Sequence, residues 1–339
     1  MSVETTSDEV AQEKPPADKA GWASGASLWI VVGIVGACLL LRGQISGRLD
    51  SPAFLDFATR FVSVMVQATP FLVFGVLISA AISAFVPASA LQRLLPENKA
   101  LAVPVAGAAG VILPGCECAS VPISGSLIRR GIAPAAALTF LLAAPAINPV
   151  VLVSTAVAFP NRPDMVIGRL VASFAVAVIM GWLWLRFGKA EWLTMGRRTP
   201  HDHDGENKVA TFRDAMQHDF LHAGGFLVIG AAIAAAFSTF VPKDIVDTLA
   251  DNWILAVLAL VLLAFLVAIC SEADAFVAAS FVGFSDTAKL AFMVVGPAVD
   301  VKLASMQAGV FGSKFAMRFA PVTLVVATLS AVIVGWVLL

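Results

Sequence analysis

Apolar runs of helix length follow one another along almost the whole chain, and nothing else in the sequence restricts its fold so severely. They fall at about 22–41, 61–86, 101–114, 119–128, 134–159, 165–187, 216–241, 253–270, 275–284, 288–311 and 317–339. About 20 apolar residues span a bilayer as a helix, and in hydrocarbon every backbone polar group must be satisfied within the structure. The chain is 59% hydrophobic and 13% charged, with a mean hydropathy of +0.89, whereas soluble domains carry about 25% charged residues. In water such a composition would leave large apolar patches exposed. The expected fold is an all-α integral membrane protein, a polytopic helical bundle. A net charge of −1 with no basic face excludes nucleic acid as a partner.

The bundle reads as two copies of one unit. Residues 68–87 (ATPFLVFGVLISAAISAFVP) align without a gap to 223–242 (AGGFLVIGAAIAAAFSTFVP), with about 12 of 20 positions identical. The same offset sets Glu117 on Glu272, and after a short deletion Pro145-Ala146-Ile147-Asn148 meets Pro297-Ala298-Val299-Asp300. This gives a polar tail at 1–20, an extra transmembrane helix at 22–41, a first repeat at 55–187, a polar linker at 188–215 and a second repeat at 216–339. The tail lacks the basic, then apolar pattern of a signal peptide and is expected to be disordered and cytoplasmic. Placing the 87–100 loop, Arg129-Arg130, the linker and Lys314–Arg318 in the cytoplasm puts most Lys and Arg inside, with Lys302 within the membrane. In that layout 61–86 runs inward and 216–241 runs outward, so the repeats are expected to be inverted.

Each repeat contains a polar break between short apolar pieces. The first is Pro114-Gly115-Cys116-Glu117-Cys118 and the second Cys270-Ser271-Glu272-Ala273-Asp274. The pieces at 101–114, 119–128 and 275–284 are too short to span, which suggests re-entrant or broken-helix hairpins whose Pro114 and Gly115 interrupt the helical ladder. Helix N-termini at such tips favour anions and thiolates. Buried carboxylates are costly in a membrane, so Glu117, Glu272, Asp274 and Asp300 require an account. Glu117, Glu272 and Asp274 suit proton coupling; alternatively they are structural charges, Asp300 with Lys302 among them. Cys116, Cys118 and Cys270 are soft ligands, candidates for binding a metal or metalloid, or else small buried side chains. Pro145, Pro149 and Pro297 are expected to kink their helices beside the tips, with Asn148 and Asp300 shaping a substrate site.

Cys38 reads as packing alone, and His201 and His203 as solvated linker residues. His218 and His222 stand four apart on a helix, a ligand spacing with no third ligand close in sequence. There is no GxxxxGK[ST] phosphate loop, so active transport would draw on a gradient or on another subunit.

The stretch from Leu113 to Leu152, with Pro114, Cys116, Cys118, Val121-Pro122, Ser126, Arg129-Arg130 and Ala144 to Pro149, resembles the signature of bacterial permeases of the ArsP and YraQ types. Cys270 to Phe281 (CSEADAFVAASF) is similar to the same family. The resemblance covers roughly 55–339 and implies a polytopic efflux permease, for trivalent arsenicals in some members and for metals in others.

The sequence thus points to a multi-pass inner-membrane permease that exports a thiophilic metal or metalloid by proton coupling. It is expected to be neither an enzyme nor a holder of a cofactor. Its expected partners are the lipid bilayer, a small inorganic or organometalloid substrate, and a second copy or a partner membrane subunit. The rival readings are a permease for another small solute, and a non-transporting subunit that anchors a partner or relays thiol redox chemistry.

Overall fold

The computed structural model describes residues 52–86, 95–111, 116–194, 208–240, 252–281 and 283–339. The chain divides into two compact units, Met1–Leu55 and Asp56–Leu339. Of the first unit only 52–55 are described, so the expected tail, the 22–41 span and Cys38 lie outside the described residues, as do Pro114, Gly115, His201 and His203.

Among the described residues every regular element is helical. The first half of the chain comprises α1 (Pro52–Phe85), α2 (Lys99–Ala109), α3 (Glu117–Arg129), α4 (Pro134–Ile147), α5 (Pro149–Ala158) and α6 (Pro163–Phe187). The second comprises α7 (Lys208–Phe240), α8 (Trp253–Val267), α9 (Asp274–Ser280), α10 (Asp286–Ala298), α11 (Val301–Phe311) and α12 (Ser313–Leu338). The order is the same in both: a long helix, a short one, a short helix after the polar break, a pair broken at Asn148 or Asp300, and a long closing helix. Taking each broken pair as one span, six spans among the described residues are long and apolar enough to cross a membrane. This is an all-α, multi-pass membrane protein. Large apolar side chains such as Val66, Met317 and Trp336 stand exposed along the long helices, as lipid-facing residues do and water-facing ones rarely do.

Two boundaries differ from the apolar pattern. Helix α7 begins at Lys208, eight residues before the apolar run, because a polar first turn outside hydrocarbon costs a helix little. Helix α8 stops at Val267, where Ala268 takes a left-handed φ of 52°. Apolar residues continue past that point, but the helix does not.

Close approach fixes how the elements meet. A Cβ on Gly75 of α1 would collide with the backbone of Ala119 on α3, and one on Gly230 of α7 would fall 2.7 Å from Lys302 Cα on α11. Helices α6 and α12 run antiparallel. Gly168 lies towards Val334, Ser330 Oγ donates to Ala172 O at 3.0 Å, and Trp184 meets Phe315 edge-on at 5.4 Å. Helix α11 is sheltered on all sides, whereas its counterpart α5 leaves Val150, Val153 and Val157 exposed.

Candidate functional site

The two polar breaks come together in the interior. Cys116 caps α3 in extended backbone, which starts the helix with Glu117 and Cys118 on its first turn. On the other side the chain leaves left-handed Ala268, turns through Cys270–Ala273, and enters α9 at Asp274, with Ala273 N and Asp274 N both donating to Cys270 O. A left-handed alanine costs about 1–2 kcal/mol, so the surrounding structure must hold it. Its carbonyl accepts a hydrogen bond from Lys302 Nζ at 3.4 Å.

Lys302 ties the two breaks together. Its Nζ lies 2.5 Å from Glu117 Oε1 and 3.9 Å from Cys270 Sγ, and both ends of the ion pair are fully buried. The Cys116 thiol has those of Cys118 and Cys270 as neighbours, and all three cysteines are free and buried. Among the described residues no group of three or more His, Cys, Asp or Glu side chains stands ready-spaced for a metal ion.

A second buried pair lies beside the first. Arg169, fully enclosed in mid-α6, contacts Asp274 Oδ2 at 2.7 Å and also donates to Ser271 O at 3.1 Å and Thr155 Oγ1 at 2.9 Å. The charged groups form one electrostatic cluster. Asp274 senses Arg169, Glu117 and Glu272, while Glu272 senses Glu117, Lys302 and Arg169, and Asp300 senses Lys302 and Glu117. Ionised, the four carboxylates exceed the two basic groups by two charges. Hydrogen-bond partners are also lacking for buried atoms of Glu117, Arg169, Ser173, Ser271, Glu272, Asp274, Asp300 and Gln307, so Glu117 and Glu272 each keep a carboxylate oxygen without a hydrogen bond. Buried polar groups without partners are costly, so each of them calls for an explanation.

Asn148 and Asp300 do the same job at matching positions. Asn148 Oδ1 accepts from Val151 N and its Nδ2 donates to Ala144 O, so it caps α5 while tending a carbonyl of α4. Asp300 Oδ1 accepts from Leu303 N, which caps α11. Pro145 and Pro297 sit within the last turns of α4 and α10, and Pro149 opens α5 at its first position, where a missing N–H costs nothing. Asp300 and Lys302, offered from the sequence as a structural charge pair, do act on each other electrostatically, but the ion-pair contact of Lys302 is with Glu117 from the first half of the chain. Arg169, which falls inside the apolar run 165–187 and is not singled out from the sequence, is a buried partner of Asp274. Its signal is a basic residue set within the apolar part of a 25-residue helix, away from Asp164 and Arg186 at the two ends.

The two histidines belong elsewhere. With Pro122, Arg129, Asp219 and Val310 they line a cavity of about 60 Å³ at the far end of α3. Asp219 accepts from Ser79 Oγ at 2.7 Å and pairs with Arg129 at 3.1 Å, and His222 Nε2 meets Gly309 O at 2.9 Å. At the other end of the bundle Arg162 bridges Asp164 at 2.8 Å and Asp286 at 2.9 Å.

Comparison with known proteins places this geometry in a family. The chain is 36% identical over 269 residues to "UPF0718 protein YcgR" of Bacillus subtilis (strain 168), covering 78% of this chain and 91% of that protein. It is 33% identical over 282 residues to a "Putative two-component membrane permease complex subunit" of Streptococcus mutans serotype c, covering 81% of this chain and 93% of that one. No solved structure matches it. The ArsP_1 family, described as predicted permeases, matches residues 53–336, and the chain belongs to that family.

Proposed function

We propose that this permease exports a thiophilic metal or metalloid species across the bacterial inner membrane by exchange for protons, its two repeats inverted in the bilayer. One observation carries the reading: three free thiols adjoin an interior cluster in which carboxylates outnumber basic groups by two. A surplus of buried negative charge is unstable in hydrocarbon unless protons or a cationic cargo neutralise it. Protons and cargo then compete for the same charge, which is the physical basis of exchange.

In this reading Cys116, Cys118 and Cys270 take the soft centre, since sulfur suits trivalent arsenicals and soft or borderline metals. That the thiols adjoin without forming a ready metal cage fits cargo that must leave again. Glu117, Glu272 and Asp274 carry the protons, while Asn148 and Asp300 hold the broken helices in register beside them. The antiparallel course of α6 and α12, which are counterparts, supports inversion. The excess of basic residues on one set of loops supports a cytoplasmic N-terminus.

The test is growth of a sensitive host expressing this chain under trivalent arsenicals, antimonials, copper and zinc. Resistance to at least one of them, lost in Cys116→Ser, is expected; resistance to none of them refutes the substrate class. A second reading has its own support, since a relative's name describes it as a complex subunit. There the chain transports only with a partner membrane subunit, and purified protein in liposomes would be inactive until that partner is added.

A further inference from the structure

The repeats supply two equivalent glutamates and one lysine. Glu117 and Glu272 occupy matching places at the two breaks, but position 302 is lysine where its counterpart, position 150, is valine. Lys302 bonds Glu117. Among the described residues Glu272 has no basic partner within ion-pair distance, and its buried Oε2 lacks a hydrogen bond. Yet Lys302 already touches the second break, through Ala268 O at 3.4 Å and Cys270 Sγ at 3.9 Å. It extends from the first turn of α11, next to the α10–α11 break at Asp300, and the close approach of Gly230 to its Cα leaves no room for bulk on that side.

We infer that Lys302 is a shared counter-ion: it bonds Glu117 in one state of the permease and Glu272 in the other, and the glutamate it leaves is the one open to cargo. This rests on the inverted-repeat reading above, in which the two states exchange the environments of the two breaks. The groups around the lysine are consistent with such an exchange. Glu117 and Cys118 face it from the first break, Cys270 and Glu272 from the second, and Asp300 from the cap of its own helix, while Arg169 is held by Asp274 and so does not compete. Lys302 is a positioning residue here, acting through the glutamate that it releases.

Hydrogen–deuterium exchange of the purified full chain in detergent tests this without any substrate. The reporters are peptides at the Arg129 end (around 122–130 and 216–224) and at the Arg162 end (around 156–166 and 284–290). Glu117→Gln leaves the lysine only Glu272, and Glu272→Gln leaves it only Glu117, so each variant should hold one state. The two are expected to shift protection of the two ends in opposite senses, by about fivefold or more, the lower range of measured couplings. Shifts in the same sense, or none, overturn the inference. Should Glu117→Gln fold poorly, the Glu117→Gln/Lys302→Met double variant removes the stranded charge. Adding Glu272→Gln to it should change nothing further at either end, and a continuing shift would overturn the proposal. Transport by the wild-type chain is a separate measurement, so either reading can fail without the other.

Discussion

The first polar break and the second are built alike and charged differently. Each follows a short helix, opens another with an acidic first turn, and lies beside a helix pair broken at an Asn or Asp cap. Around the first, Glu117 is met by Lys302 from the opposite repeat. Around the second, Asp274 is met by Arg169, and Glu272, which aligns with Glu117 in sequence, has no ion-pair partner among the described residues. The two breaks therefore share their backbone devices, which depend on proline, cap residues and close glycine contacts, while the charges between them differ. A transporter that must bind on one side and release on the other needs that inequality, because two identical glutamates with identical partners would favour neither state.

Removing one member of a buried pair should show the difference most strongly. Arg169→Met leaves Asp274 enclosed without its cation and is expected to cost about 3–5 kcal/mol, with Lys302→Met costing a similar amount through Glu117. Thermal unfolding in detergent measures both, and Arg169→Met/Asp274→Asn should recover most of the first loss. Glu272→Gln should leave stability within about 0.5 kcal/mol, since no ion pair is broken, while abolishing turnover. A loss as large as that of Arg169→Met would erase the distinction drawn between the breaks.

Packing and capping effects come next. Gly75→Ala and Gly230→Ala each place a methyl against backbone and are expected to destabilise by about 1–3 kcal/mol, read from the same melts. At the caps, Asn148→Ala should cost about 1 kcal/mol, whereas Asp300→Asn, which keeps a capping oxygen, should cost little. Asp300→Asn removes one charge from the cluster without disturbing α11, so its effect on transport separates electrostatics from helix geometry.

The helices and their interruptions were legible because apolar run length, proline and Asn or Asp caps act locally. The matched ends of α4 and α10 could be aligned residue by residue before any geometry was known. The ion pairs were not legible. Lys302 stands two positions after Asp300, and residues so spaced on a helix start do not face each other, so the near neighbour was the wrong partner. Arg169 is the seventh residue of α6, where a basic residue resembles a helix-end anchor until tertiary structure shows Asp274 beside it. The same holds for Asp219, whose contacts to Ser79 and Arg129 join three helices far apart in sequence.

The central claim is that thiols and carboxylates from the two breaks form one exchange site. Inside-out membrane vesicles containing this chain, given trivalent arsenite and an acid-interior pH gradient, test it most directly. The account predicts arsenite accumulation that collapses with the gradient, is lost in Cys116→Ser together with binding, and in Glu117→Gln is lost while binding persists. Undiminished accumulation in Cys116→Ser, or loss of binding and turnover together in Glu117→Gln with the fold intact, would contradict it.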